Sequence, residues 1–115
     1  MKTKKFLFDL DSKVAIYVPS TNNATEVTDN SAMVSRALSE LSDLFGGATA
    51  TDAIGGWMST EHGLITERVT IVYAFCKSEV FGDNIERILD LCNAIKSEMG
   101  QEAVTLEYNG QVKFI

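Results

Sequence analysis

The sequence predicts an α+β domain, a ferredoxin-like β-α-β-β-α-β plait with two helices on one face of an antiparallel sheet and a C-terminal hairpin. Three observations predict it. Two segments repeat apolar residues at three- and four-residue steps, the pattern of a helix that buries one stripe. Around them lie runs of β-branched and aromatic residues that alternate with a period of two. Near the C-terminus Asn109-Gly110 separates two such runs, and that dipeptide is a strong hairpin signal.

The elements follow in order. Phe6-Leu7-Phe8-Asp9-Leu10 reads as a short extra strand or as part of an N-terminal extension over residues 1–12, with turn chemistry at Asp11-Ser12. Lys13 to Val18 is a strand that Pro19 ends. Ser20-Thr21-Asn22-Asn23 is a polar loop. A helix then carries Met33, Val34, Ala37, Leu38, Leu41, Leu44 and Phe45 on one stripe. Thr28 or Asp29 can cap its start, and Gly46-Gly47 stops it.

Ala48 to Ser59 reads as a strand with an irregularity, such as a bulge, at Gly55-Gly56. Thr60 to Gly63 forms a turn, and Leu64 to Cys76 is the clearest strand of the chain. Its odd positions, Ile65, Glu67, Val69, Ile71, Tyr73 and Phe75, are the heavier and more apolar set. They are therefore expected to face the helices, with Thr66, Arg68, Thr70, Val72 and Ala74 on the other side. A second helix runs from Asp83 to Met99. Asp83 and Glu86 have capping-box spacing, and Ile85, Ile88, Leu89, Cys92, Ile95 and Met99 form the stripe. Gly100 ends it. Ala103 to Tyr108 and Gln111 to Ile115 close the chain as a hairpin.

Composition narrows the function. The 115 residues suit one domain, 1–115, and 45% apolar with 23% charged residues is ordinary for a folded protein. A net charge of −6 argues against direct nucleic-acid binding, and the lysines of Met1-Lys2-Thr3-Lys4-Lys5 form only a small basic patch. Cys76 and Cys92 lie among apolar residues and read as buried free thiols. With His62 as the lone histidine there is no zinc motif, and Asp52, Glu61 and Glu67 lack metal-loop spacing. No phosphate-loop or dinucleotide fingerprint occurs either, so neither a metal nor a cofactor is expected. No secretory signal and no apolar stretch of membrane-spanning length are present, which makes the cytoplasm the expected place and the membrane no partner.

The candidate site residues are Tyr17, Thr21, Asn22, Trp57, Glu67 and Arg68. A plait covers one sheet face and leaves the other to solvent or to a partner. Ala15, Tyr17, Thr49, Thr51, Trp57, Thr105 and Glu107 are assigned to the open face. Such a face suits a homodimer or higher homo-oligomer, or a shallow ligand platform. Glu67 is placed with the helix-facing set, where a buried carboxylate is costly, so it either lies near the sheet edge and reaches water or finds a partner such as a hydroxyl, a free N–H group or a ligand. Trp57 follows two glycines that let a planar group approach, and with Tyr17 it could stack a base. Arg68 could pair a phosphate, and Thr21 and Asn22 could present polar groups near a helix start. His62 has no nucleophile motif beside it and reads as a loop residue.

Ile16-Tyr17-Val18-Pro19-Ser20-Thr21, Phe45-Gly46-Gly47-Ala48-Thr49, Gly55-Gly56-Trp57, Glu67-Arg68-Val69-Thr70-Ile71-Val72 and Gln101-Glu102-Ala103-Val104 carry a resemblance. From Val14 onward the chain resembles short uncharacterised proteins carried by phages, plasmids and other mobile elements of Gram-positive bacteria. The resemblance implies a bacterial host cytoplasm and no particular catalytic residue. It makes a non-enzymatic binding module the first expectation: a counter-defence inhibitor that binds a host protein or sequesters a small nucleotide at a subunit interface. The alternatives are a small-molecule enzyme on a plait-type dimer, using Glu67, Arg68 or His62, and an accessory subunit of mobile-element machinery.

Overall fold

Val14, Ile16 and Val18 alternate with Lys13, Ala15 and Tyr17, and this alternation makes the central strand of the protein two-faced. In a computed structural model, which describes residues 6–22 and 26–115, that strand is β1, Ser12–Pro19. Two short strands follow, β2 (Thr21–Asn22) and β3 (Glu26–Val27), paired with each other. Helix α1 (Ser31–Phe45) leads to β4 (Thr49–Ser59) and β5 (Gly63–Cys76). Helices α2 (Ser78–Asp83) and α3 (Ile85–Glu98) lead to β6 (Thr105–Tyr108) and β7 (Gln111–Phe114). The molecule is thus α+β. Its sheet has five strands in the order β4-β5-β1-β6-β7, and every neighbouring pair is antiparallel.

Local chemistry sets the ends of the elements. The Asp29 carboxylate accepts hydrogen bonds from the Ser31 N–H at 2.9 Å and the Ser31 hydroxyl, satisfying a free donor at the start of α1. Gly46 ends α1 at φ 87°, a left-handed conformation that glycine takes without strain. At the last hairpin Asn109 and Gly110 both have positive φ, as a tight two-residue turn requires.

Several expectations are corrected. Phe6 to Leu10 pairs with no strand; Phe8 and Leu10 instead line a groove beside Phe45 and Tyr73. The second helix is two: Asn84 interrupts the chain after α2, and its side-chain amide donates back to the Val80 carbonyl. Asn84, rather than Asp83, therefore stands at the start of α3, and no side chain caps it. Gly55 and Gly56 form no bulge, since they pair in unbroken register with Glu67 and Thr66.

The largest correction concerns the faces of β5. Ile16 pairs with Val72 on one side and Leu106 on the other, so these three share a face. All three are buried, with Val14, Val18, Ala74 and Cys76, under Ala37 and Leu41 of α1 and Ile88, Leu91, Cys92 and Ile95 of α3. The even positions of β5 therefore face the helices from Thr70 on. The odd set, with Val69, Ile71, Tyr73 and Phe75, faces away, alongside Ala15 and Tyr17. The physical reason is fit: helices pack closely on the flat Val, Ala and Cys side chains, and the bulky aromatic ones take the uncovered face. There Lys13 lies 4.4 Å over the Tyr73 ring.

One feature departs from a simple layer. The β1–β5 pairing ends at Pro19 opposite Val69, while β4 and β5 continue together through Ser59 and Gly63. The stretch Ile54–Ser59 with Gly63–Arg68 is thus a two-stranded arm beyond the sheet. The molecule is accordingly long, 59 Å in its greatest extent, and its radius of gyration is 16.0 Å against about 13 Å for a compact chain near this size. Ile54, Trp57, Met58 and Leu64 on the arm are each at least 58% exposed.

Candidate functional site

The root of the arm is where chemistry-bearing residues converge. Gly55 stands opposite Glu67, and Trp57 stands opposite Ile65, so these four share one face of the arm. Ile54 and Arg68 form the neighbouring pair on the other face. The chain leaving β1 turns back here, because Pro19 ends the strand and Thr28 N–H bonds to the Ser20 carbonyl at 2.8 Å. That return brings Ser20, Thr21 and Val27 against the arm. The Ser20 hydroxyl donates to the Arg68 carbonyl and fixes the approach.

Between these segments lies a cavity of about 640 Å³. Its walls include Val27, Ile54, Trp57 and Ile65, and its polar groups include Thr21, His62, Glu67 and Arg68. A smaller cavity of about 250 Å³ adjoins it, lined by Tyr17, Gly55, Gln101 and Thr105 among others. Glu67 and Arg68 line both cavities. Glu67 and Arg68, on opposite faces of the arm, thus border both a mainly apolar chamber and a more polar one.

Glu67 is exposed: it reaches water, one of the two outcomes expected for it, but from the face away from the helices rather than the one toward them. No burial cost has to be offset, and the group is available to a ligand. Its described protein partner is the hydroxyl of Thr21, which donates to Oε2 at 3.5 Å. Thr21 is itself buried, and its carbonyl accepts the Gln101 side-chain amide at 2.7 Å. On the open sheet face the Tyr17 hydroxyl donates to Glu107 Oε1 at 2.9 Å. That carboxylate, bonded to the neutral phenol, pushes the Tyr17 pKa above its ordinary value of 10.0.

Of the six candidates, the structure brings Thr21, Trp57, Glu67 and Arg68 together around the larger cavity. Tyr17 joins Glu67 and Arg68 at the smaller one. Asn22 pairs with Glu26 in the β2–β3 ribbon and lines neither. Sequence reasoning gave His62 to a turn, where it is, but the length of the arm swings that turn to the cavity rim. Gln101 was missed altogether; only its place just after the glycine that ends a helix could have marked it. Among the described residues no group of three or more His, Cys, Asp or Glu side chains could hold a metal. No helix among them is long and apolar enough to cross a membrane.

No family model matches the chain, and no curated protein matches it. Solved structures do. A phage SAM lyase in complex with S-methyl-5′-thioadenosine superimposes with a TM-score of 0.66 at 15% identity, over 96% of this chain and 95% of that one. A phage SAM lyase in the apo state superimposes with a TM-score of 0.68 at 16% identity, over 99% of this chain and 95% of that one. At this identity the likeness shows a shared fold, from end to end of both chains. It overturns the expectation of a non-enzymatic binding module, because the proteins that share the fold are enzymes.

Proposed function

We propose that this chain is a lyase of small sulfonium nucleosides, with SAM as substrate and S-methyl-5′-thioadenosine as product. The observation that carries the reading is the exposed carboxylate of Glu67 at the junction of an apolar chamber and a smaller polar one. SAM has matching parts: a planar adenosine, a positively charged sulfur, and a short zwitterionic amino-acid chain. Trp57, Ile54 and Ile65 offer apolar surface to the adenosine. Glu67 attracts the sulfonium and the adjoining ammonium. Arg68, shared by both cavities, is suited to the substrate carboxylate.

The sulfonium is its own leaving group. When the bond between sulfur and the amino-acid chain breaks, both electrons depart with sulfur and a neutral thioether results, while an oxygen of the substrate's own carboxylate bonds to the carbon that sulfur leaves and closes a lactone. No proton has to be given to the leaving group. The protein's task is to hold the substrate in a reactive posture and keep water away.

The site is completed by a second copy of the chain, in a homodimer or higher homo-oligomer. A two-stranded ribbon is at best marginally stable in water, and this arm exposes apolar side chains on both faces. Trp57, in the wall of the larger cavity, is 58% exposed. The strand order supports reading the sheet as a ferredoxin-like plait with β7 added at one edge. The phage setting of the structural neighbours and the mobile-element resemblance fit a chain that depletes a host metabolite.

The test is direct. The purified protein incubated with SAM should release S-methyl-5′-thioadenosine, seen by chromatography. Glu67→Gln, which keeps the shape and removes the charge, should slow release on the order of 100-fold or more with an unchanged unfolding profile. Intact SAM after prolonged incubation with folded protein would sink the reading.

A further inference from the structure

We propose that Gln101 is a positioning residue for Glu67, acting through Thr21. The inference rests on the reading of Glu67 given above and adds a residue to it. Gln101 lies just beyond α3, where its backbone N–H donates to the Lys96 carbonyl at 2.9 Å. Its side-chain amide donates twice, to the Met99 carbonyl at 2.9 Å and to the Thr21 carbonyl at 2.7 Å. The end of α3 is thereby tied to a chain segment 80 residues earlier. Thr21 in turn offers its hydroxyl to Glu67 Oε2. One line of bonds thus runs from a helix anchored in the core to the carboxylate between the two cavities.

The distances give this line its function. The Gln101–Thr21 bond is short and the Thr21–Glu67 bond, at 3.5 Å, is long for a hydroxyl on a carboxylate. Hydrogen bonds at catalytic groups often tighten only when substrate binds. A bond at the edge of its range responds steeply to small displacements, so whatever fixes Thr21 decides whether the hydroxyl reaches Glu67. Thr21 is buried and belongs to a ribbon whose two strands are two residues each, too short to hold it alone. Gln101 adds a constraint on Thr21 itself, beside the one that the neighbouring Ser20 makes with the Arg68 carbonyl. A glutamate in its place would keep the shape, lose both donors and set a carboxylate against two carbonyls.

The experiment compares Gln101→Glu, Thr21→Val, Thr21→Ser, the Gln101→Glu/Thr21→Val double variant and Glu67→Gln. Each is assayed for turnover of SAM, with the thermal unfolding profile as the control for folding. Gln101→Glu and Thr21→Val should each lower kcat on the order of tenfold with KM within about twofold. Thr21→Ser, which keeps the hydroxyl, should retain most of the rate. The double variant should be no slower than the slower single one, because both changes break one line; independent roles would multiply to roughly 100-fold. Full kcat in Gln101→Glu, a rise in KM alone, or multiplying effects would each overturn the proposal. If Gln101→Glu does not fold, equal rates in Thr21→Val and Thr21→Ser overturn it. No turnover by the unmodified protein, or full turnover by Glu67→Gln, removes the reading of Glu67 and this inference with it. An inactive Glu67→Gln beside a fully active Gln101→Glu removes the inference alone.

Discussion

Gly55 lines the smaller cavity beside Glu67 with no side chain of its own. It stands across the arm from Glu67, and a side chain there would project into the smaller cavity that it lines. A Cβ at this position would meet only the Glu67 carbonyl, at 4.0 Å, so the backbone tolerates substitution. Gly55→Val should therefore fold with a near-normal unfolding midpoint and lose SAM turnover by about tenfold or more, measured at saturating substrate. Tyr17 gives a second prediction, in pH. Its folded-state pKa is raised, so the stability from its bond to Glu107 is complete below the ordinary value of 10.0 and is lost as pH climbs through the higher folded value. Tyr17→Phe should flatten the alkaline fall in denaturant midpoint; an unchanged fall would contradict the assignment. At this scale the sequence made Trp57, Glu67 and Arg68 visible by type, since a lone Trp and a carboxylate in an apolar strand stand out. It could not make Gln101 visible, because its partner Thr21 lies 80 residues away.

At the scale of elements, helices and hairpins were legible and sheet faces were only half so. Helical periodicity marked the stripe of α1, and Ala37 and Leu41 are its fully buried members. Leu41→Ala should cost about 2–5 kcal/mol in chemical unfolding, since it opens a cavity under the centre of the sheet. A loss below 1 kcal/mol would show that the helix packs elsewhere. For β5 the sequence misled, because apolar weight was taken as the sign of burial. Both of its faces are largely apolar, one under helices and one bare. The register supplied what weight could not: Val72 shares a face with Ile16, whose strand alternates without ambiguity. That one inversion moved Glu67 from the helix-facing set to the opposite face, where it is exposed. The break at Asn84 left no clear mark, as Asp83 and Glu86 fit a cap equally well on paper.

At the scale of the whole molecule the arm is the decisive feature, and length alone hinted at it. β4 and β5, with 11 and 14 residues, exceed the 8 residues of β1, so part of their pairing has no third strand beside it. Met58 and Leu64 on the arm are each more than 60% exposed. Sedimentation should give a mass of two or more times 12.6 kDa; a mass of 12.6 kDa would contradict the assembly. Met58→Asp should dissociate the assembly and abolish turnover together; a monomeric and fully active variant would separate the arm from the site. The account depends most on Glu67. The measurement that tests it most directly is the release of S-methyl-5′-thioadenosine from SAM by the unmodified protein and by Glu67→Gln, side by side at equal assembly state. The account predicts release by the first and a loss on the order of 100-fold or more in the second. Equal rates in the two, or intact SAM in both, would contradict it.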